Sequence, residues 1–148
     1  MTPAQKAALE ALRGSALSPE QESVIDDLIA QGNHGAVAAV LSAGRTKLAS
    51  YEAGKGDVLN VLGLTVGNAL LDVIDSAPEF RHAKHLLADG RLRLDMPLTM
   101  GTLASLVGQQ IAAGITFEQA HADAILALAR VPDPINHEAV TAALRGAE

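Results

Sequence analysis

Residues 57–77, "DVLNVLGLTVGNALLDVIDSA", decide how this chain folds. Val66, Ala69, Leu70, Val73, Ile74 and Ala77 fall at i, i+3, i+4, i+7, i+8 and i+11, so they line one face of an α-helix, while Asp72 and Asp75 face away. Asp57 and Thr65 are read as the caps of a short helix and a longer one, joined by the turn in "NVLGLTVG". Two apolar helices meeting at a glycine turn set the theme for the whole chain.

The same pattern extends on both sides. Thr2-Pro3-Ala4-Gln5, Ser18-Pro19-Glu20-Gln21 and Thr116-Phe117-Glu118-Gln119 each place a hydroxyl three residues ahead of Gln. The hydroxyl and the Gln side chain then satisfy two backbone N–H groups that a helix start leaves free, and Pro at the first helical position sacrifices no hydrogen bond. These are read as three helix starts, with Asn136 opening a last helix after the "VPDP" stop. Gly14, Gly32, Gly44, Gly90, Gly114 and Gly146 mark the ends of helices. Val24, Ile25, Leu28 and Ile29 form one stripe, Val37, Val40 and Leu41 a shorter one, and Met100, Leu103, Val107 and Ile111 another, continued by Phe117, Ala120, Ala124, Ile125 and Leu128.

The fold class expected is therefore all-α, with about eight short helices arranged as hairpins in one domain over residues 1–148. The first helix, 1–15, is open to reading as a peripheral arm. Only 45–50 and 91–94 read as extended, and helix-crossing loops are favoured there over a minor two-strand element. "LIAQGNHGAVAAVLSAG" (28–44) and "QIAAGITFEQAHADAIL" (110–126) share a helix, glycine, turn and helix reading.

Composition narrows function mainly by exclusion. Aromatic residues are only 2% of the chain against 49% apolar, so Leu, Val, Ile and Ala must build the core. With no cysteine there are no disulfides, thiolate nucleophiles or cysteine-held metals. No basic leader opens the sequence and no uninterrupted apolar run reaches the length of a membrane span, so no membrane partner is expected. A net charge of −6 disfavours nucleic acid, whose affinity comes from Lys and Arg displacing counterions.

"RHAKHLLADGRLR" (81–93) is the exception, concentrating Arg81, Lys84, Arg91 and Arg93 between stretches without basic residues. On a helix ending at Gly90, Phe80, Ala83, Leu86 and Leu87 turn inward and His82, His85 and Asp89 share the other face. Two imidazoles and a carboxylate are chemically able to hold a divalent ion, but a closed site needs another ligand. Solvated pairs are the plainer reading, and no metal or other cofactor is assigned. "YEAGKGD" (51–57) fails as a phosphate loop, because Ala49 stands where its first glycine belongs and Gly56 follows Lys55 in place of Ser or Thr. No G-x-S-x-G or H-E-x-x-H occurs, Asp26/Asp27 and Asp72/Asp75 read as solvated pairs, and His121 reads as a core-edge histidine. No catalytic residue is named, and the chain is read as a non-enzyme. The four basic residues are its expected contact patch.

"YEAGKGDVLNVLGLTVGNALLDVID", "LLADGRLRLDMP", "LVGQQIAAGITFEQAHADAILALARVPDP" and "VTAALRG" together resemble small Ala-rich helical proteins encoded among the structural and tail genes of tailed bacteriophages. The likeness covers the last two thirds of the chain and lies in glycine turns and apolar helices. It implies a virion-associated structural or adaptor role in tail, neck or baseplate, after synthesis in the host cytoplasm. Its partners would be other phage structural proteins and further copies of the chain, with no active-site residues to carry over. The alternative is a small helical regulatory module, either a host-directed inhibitor or a nucleic-acid-associated protein.

Overall fold

A computed structural model describes residues 1–148. Its helices are α1 (Pro3–Arg13), α2 (Pro19–Ala30), α3 (His34–Ser42), α4 (Lys55–Ser76), α5 (Arg81–Ala88), α6 (Pro97–Leu106), α7 (Gln119–Leu126) and α8 (His137–Gly146). Short strands are β1 (Thr46–Leu48), β2 (Glu52–Ala53), β3 (Leu92–Arg93), β4 (Gln110–Ala112), β5 (Ile115–Thr116) and β6 (Arg130–Pro132). At 65% helix and 10% strand, the protein is the expected helical type. Both stretches where helix-crossing loops are expected carry strands, and there are three two-stranded antiparallel sheets, β1 with β6, β2 with β3 and β4 with β5.

The chain divides into two compact units, residues 1–46 with 132–148 and residues 47–131. In the terminal unit α8, from the far end of the sequence, packs on α1 and α3. Leu9, Ile25, Val37, Leu41 and Val140 are fully buried there. The first helix is therefore no peripheral arm, because Leu9 is part of that core. Its capping box forms as the spacing requires, with Gln5 N–H donating to Thr2 Oγ1 at 3.1 Å and Thr2 N–H to Gln5 Oε1 at 2.9 Å. Ser18 and Gln21 repeat the arrangement at the start of α2, and Asn136 caps α8 by accepting from Ala139 N–H at 2.8 Å.

α4 organises the central unit. A straight helix of this length and composition, 22 residues holding an 18-residue window of mean hydropathy 1.5, is long and apolar enough to cross a bilayer. It is not straight. Gly63 breaks it at φ 81°, ψ 170°, and the chain doubles back. Lys55 Nζ lies 3.4 Å from Asp75 Oδ2, whereas an unbroken helix would hold these residues about 30 Å apart along its axis. A Cβ on Gly67 would stand 3.0 Å from Leu59 Cδ2 and 3.2 Å from Leu59 Cα, which shows how closely the arms cross. The core around them includes Val58, Leu70, Ile74, Leu87, Leu103 and Phe117.

The turn in "NVLGLTVG" is thus where the sequence places it, although neither expected cap holds its assigned post. Gly54 is the N-cap of α4 and Asp57 lies one turn inside, its Oδ2 accepting from Gly54 N–H at 2.8 Å; Thr65 falls within the second arm. Asp57 Oδ1 accepts from the Tyr51 hydroxyl at 3.1 Å, and this bond to the neutral phenol raises the Tyr51 pKa above its ordinary 10.0. A folded-state value raised in this way adds stability at neutral pH that is lost as pH climbs through the raised value. Tyr51 is the sole tyrosine and there is no tryptophan, so phenolate absorbance reads it directly. Its midpoint should lie above that of the unfolded chain and fall back in Asp57→Asn; equal midpoints in folded and unfolded wild type would remove the bond.

Between α6 and α7 the structure departs from the helical reading. Residues 110–116 form a hairpin in which Gln110 faces Thr116 and Ala112 faces Ile115. Gly108 N–H donates to Phe117 O at 2.7 Å and Phe117 N–H to Gln109 O at 2.8 Å, extending the hairpin. Thr116 is therefore committed to a strand, and α7 starts two residues later with Glu118 as its cap. Gly114 makes the hairpin turn and ends no helix, whereas Gly146 is the last residue of α8, as expected, although without the left-handed conformation of a glycine cap. The apparent likeness of 28–44 to 110–126 fails for the same reason, since one is two helices and the other a hairpin followed by a helix.

Candidate contact surface

The basic segment lies on α5 and β3. Arg81 and Arg91 are exposed, and the Arg81 guanidinium donates to Pro78 O at 3.2 Å. Lys84 is half-buried, with Nζ donating to Asp75 O at 3.2 Å. There a cation meets the carbonyl end of α4, where the helix dipole favours it. Arg93 forms a two-point pair with Asp95, Nε to Oδ1 at 3.1 Å and Nη2 to Oδ2 at 2.6 Å. That pairing raises the Arg93 pKa and holds the Asp95 carboxyl below its ordinary range. Three of the four expected contact residues thus carry internal bonds, Arg81 to its own turn and Lys84 and Arg93 to groups that the fold brings to them.

His82, His85 and Asp89 are all exposed on α5, and no group of three or more His, Asp or Glu side chains converges anywhere in the molecule in a way that could hold a metal ion. His121 is half-buried at 5.6 Å from the Phe117 ring, with Nδ1 accepting from Glu118 N–H at 3.0 Å. Asp75, read as solvated, is instead half-buried by the fold-back of α4, and its Oδ1 is buried without a hydrogen-bond partner. Nothing within helical spacing of Asp75 signals this, because Lys55 reaches it only through the bend at Gly63.

A feature that apolar spacing does not single out stands immediately after β3. From Met96 to Phe117 the sequence holds no charged residue, and α6 occupies the first part of that stretch. Thr99, Leu103 and Leu106 face inward and are buried. The Thr99 hydroxyl donates to Arg93 O at 2.6 Å, leaving an apolar underside toward Leu70, Ile74 and Leu87. The solvent side carries no charge either, with Met96, Leu98 and Met100 at 39%, 42% and 41% exposure, Leu98 and Met100 on opposite flanks of the helix and Gly101, Ala104 and Ser105 exposed between them. A surface helix ordinarily turns charged or polar residues to water. Helix α6 turns methionine, leucine and small residues. The signal in the sequence was the missing charge; the expected stripe through Met100, Leu103, Val107 and Ile111 hid it, because Met100 faces out and Ile111 belongs to β4.

Comparison with protein-family models, with characterised proteins and with solved structures finds no match to this chain.

Proposed function

We propose that the protein is a non-enzymatic, virion-associated structural or adaptor protein of a tailed phage, working through protein–protein contacts. The observation that carries the contact role is α6, whose outer side leaves Met96, Leu98 and Met100 about two-fifths exposed. Exposed apolar side chains on an uncharged helix suit a contact role, and methionine serves it because its flexible thioether adapts to a partner. Arg91 and Arg93 lie just ahead of it in sequence and supply polar surroundings of the sort that fix register. The phage assignment is supported by the resemblance of the glycine-turn and apolar-helix pattern.

The direct test is whether the protein purifies with assembled particles. Fixed stoichiometry in the particles is expected, together with loss of incorporation for Met100→Glu at unchanged folding. Absence from particles would remove the phage role. DNA or RNA binding that falls steeply with salt would favour the regulatory alternative instead.

A further inference from the structure

We propose that the peptide bond between Asp133 and Pro134 is a site of self-cleavage, with the Asp133 carboxylate as nucleophile and the Arg45 guanidinium as the group that activates the carbonyl. This goes beyond the contact reading and does not rest on it. It is a single event on the chain's own backbone, which a non-enzymatic protein can undergo.

The chemistry of the pair is the first argument. An aspartate carboxylate can close a five-membered ring on the carbonyl carbon of its own residue. Proline then supplies a tertiary amide nitrogen, which departs more readily than an ordinary one once it is protonated. The "VPDP" stop places this pair just ahead of α8. Any such bond has some weakness in acid, so what matters is whether the fold holds the reacting groups in place.

It does so through Arg45. Nε donates to Asp133 O at 3.2 Å and Nη2 to Asp133 Oδ2 at 2.8 Å. These two donors stand side by side on one edge of the guanidinium, so a single fork keeps the carboxylate on the same side as the carbonyl oxygen of its own residue. The fork is itself anchored, because Nη1 donates to Leu12 O and Arg13 O at the end of α1. The backbone is pinned on both sides of the bond, with Asp133 N–H donating to Arg45 O at 3.1 Å and Ile135 N–H to Ser42 Oγ at 2.8 Å. A cationic N–H on the carbonyl oxygen is what a developing oxyanion requires. The Asp133 side chain is 31% exposed and Pro134 is exposed, so water reaches the bond.

In the step, the other carboxylate oxygen, Asp133 Oδ1, forms a bond to the Asp133 carbonyl carbon. The bond from that carbon to the Pro134 nitrogen breaks, its electron pair stays on nitrogen, and the nitrogen takes a proton from solvent. One water then opens the cyclic anhydride, restoring the side-chain carboxylate and leaving an α-carboxylate on Asp133 and a free secondary amine on Pro134. Helix α8, with Val140 and Leu144 in the terminal core, is left in place without a covalent tie to α1 and α3.

Purified wild type kept in native buffer, at neutral and at mildly acidic pH, should yield Met1–Asp133 and Pro134–Glu148, their masses summing to the chain plus one water. Mass spectrometry under denaturing conditions separates the pieces even where α8 stays docked. At equal pH the folded chain should cleave at least about tenfold faster than the same chain in urea, because the orientation and the carbonyl donor exist only in the fold. Asp133→Asn loses the carboxylate nucleophile, and Pro134→Ala leaves the Arg45 donors in place while worsening the leaving group; each should slow the folded chain at least about tenfold. Arg45→Lys should fall to the rate in urea whether or not it folds fully, since the fork is gone either way. An uncleaved wild type overturns the proposal. So does a folded chain that cleaves no faster than the unfolded one, which is the ordinary lability of the bond, or a Pro134→Ala variant cut at the wild-type rate, which is the mark of a protease.

Discussion

Gly63→Val is expected to destabilise the central unit by on the order of 3 kcal/mol, the upper end of what a strained backbone position costs. At φ 81° and ψ 170°, Gly63 occupies a region that is essentially glycine's alone, and a β-branched side chain fits it worst. Asparagine should be little better than alanine here, because its tolerance of positive φ applies near ψ 47°, far from this ψ. The substituted chain can escape the strain by taking helical angles, but that straightens α4 and parts Leu59 from Gly67. Urea unfolding gives the size of the loss. Amide exchange gives its place, with protection falling across Lys55–Ser76. The Lys55–Asp75 pair is not what holds the arms together: at 42% and 36% side-chain exposure it is a surface pair, and Lys55→Met should cost under about 1 kcal/mol. Wild-type stability in Gly63→Val would show that the bend does not depend on glycine.

Arg45→Met should cost the terminal unit a similar amount, about 3 kcal/mol, by removing a charged fork while keeping the stem. The guanidinium donates to Leu12 O at 3.2 Å and to Arg13 O, two carbonyls at the end of α1. It also donates to Asp133 O at 3.2 Å and Asp133 Oδ2 at 2.8 Å, while the Arg45 carbonyl accepts from Asp133 N–H at 3.1 Å. One side chain thus ties the first helix to the segment that leads into α8. Lysine should not rescue it, since a point charge cannot serve acceptors lying in several directions. Asp133→Asn should cost less, because the backbone acceptors remain. Thermal unfolding measures the difference, and exchange should open α1 and α8 first. Equal stability of Arg45→Met and wild type would mean that apolar burial alone holds these segments.

Neither effect is legible in the same degree. Gly63 could be placed in a turn because its neighbours change from one helical series to the next within a few residues. Arg45 gave no signal, as its partners lie 32 and 88 positions away in sequence. The small sheets escaped for a related reason: β2 and β3 pair Glu52 with Arg93 and Ala53 with Leu92, across the whole of α4 and α5. Strands of two or three residues carry too little periodicity to declare themselves. The division into two units was likewise hidden, because no change of composition marks its borders and the terminal unit is assembled from both ends of the chain.

For the contact surface the residues were visible and their orientation was not. Met100 fits an apolar series with Leu103, yet one is exposed and the other buried, because the core covers the side of α6 that carries Thr99, Leu103 and Leu106 and Met100 lies at its edge. Lys84 and Arg93 read as free cations until the backbone brought Asp75 O and the Asp95 carboxylate to them.

By itself the sequence determined the helical class, the caps at Thr2, Ser18 and Asn136, and the turn at Gly63. Each of these is settled between residues three or four apart, whose mutual geometry the backbone fixes before anything else folds. Tertiary structure decided which apolar residues became core and which stayed in water, where the charged groups found partners, and that α8 closes the first unit. Those outcomes depend on surfaces brought together from distant positions, and burial is a property of what covers a side chain rather than of the side chain.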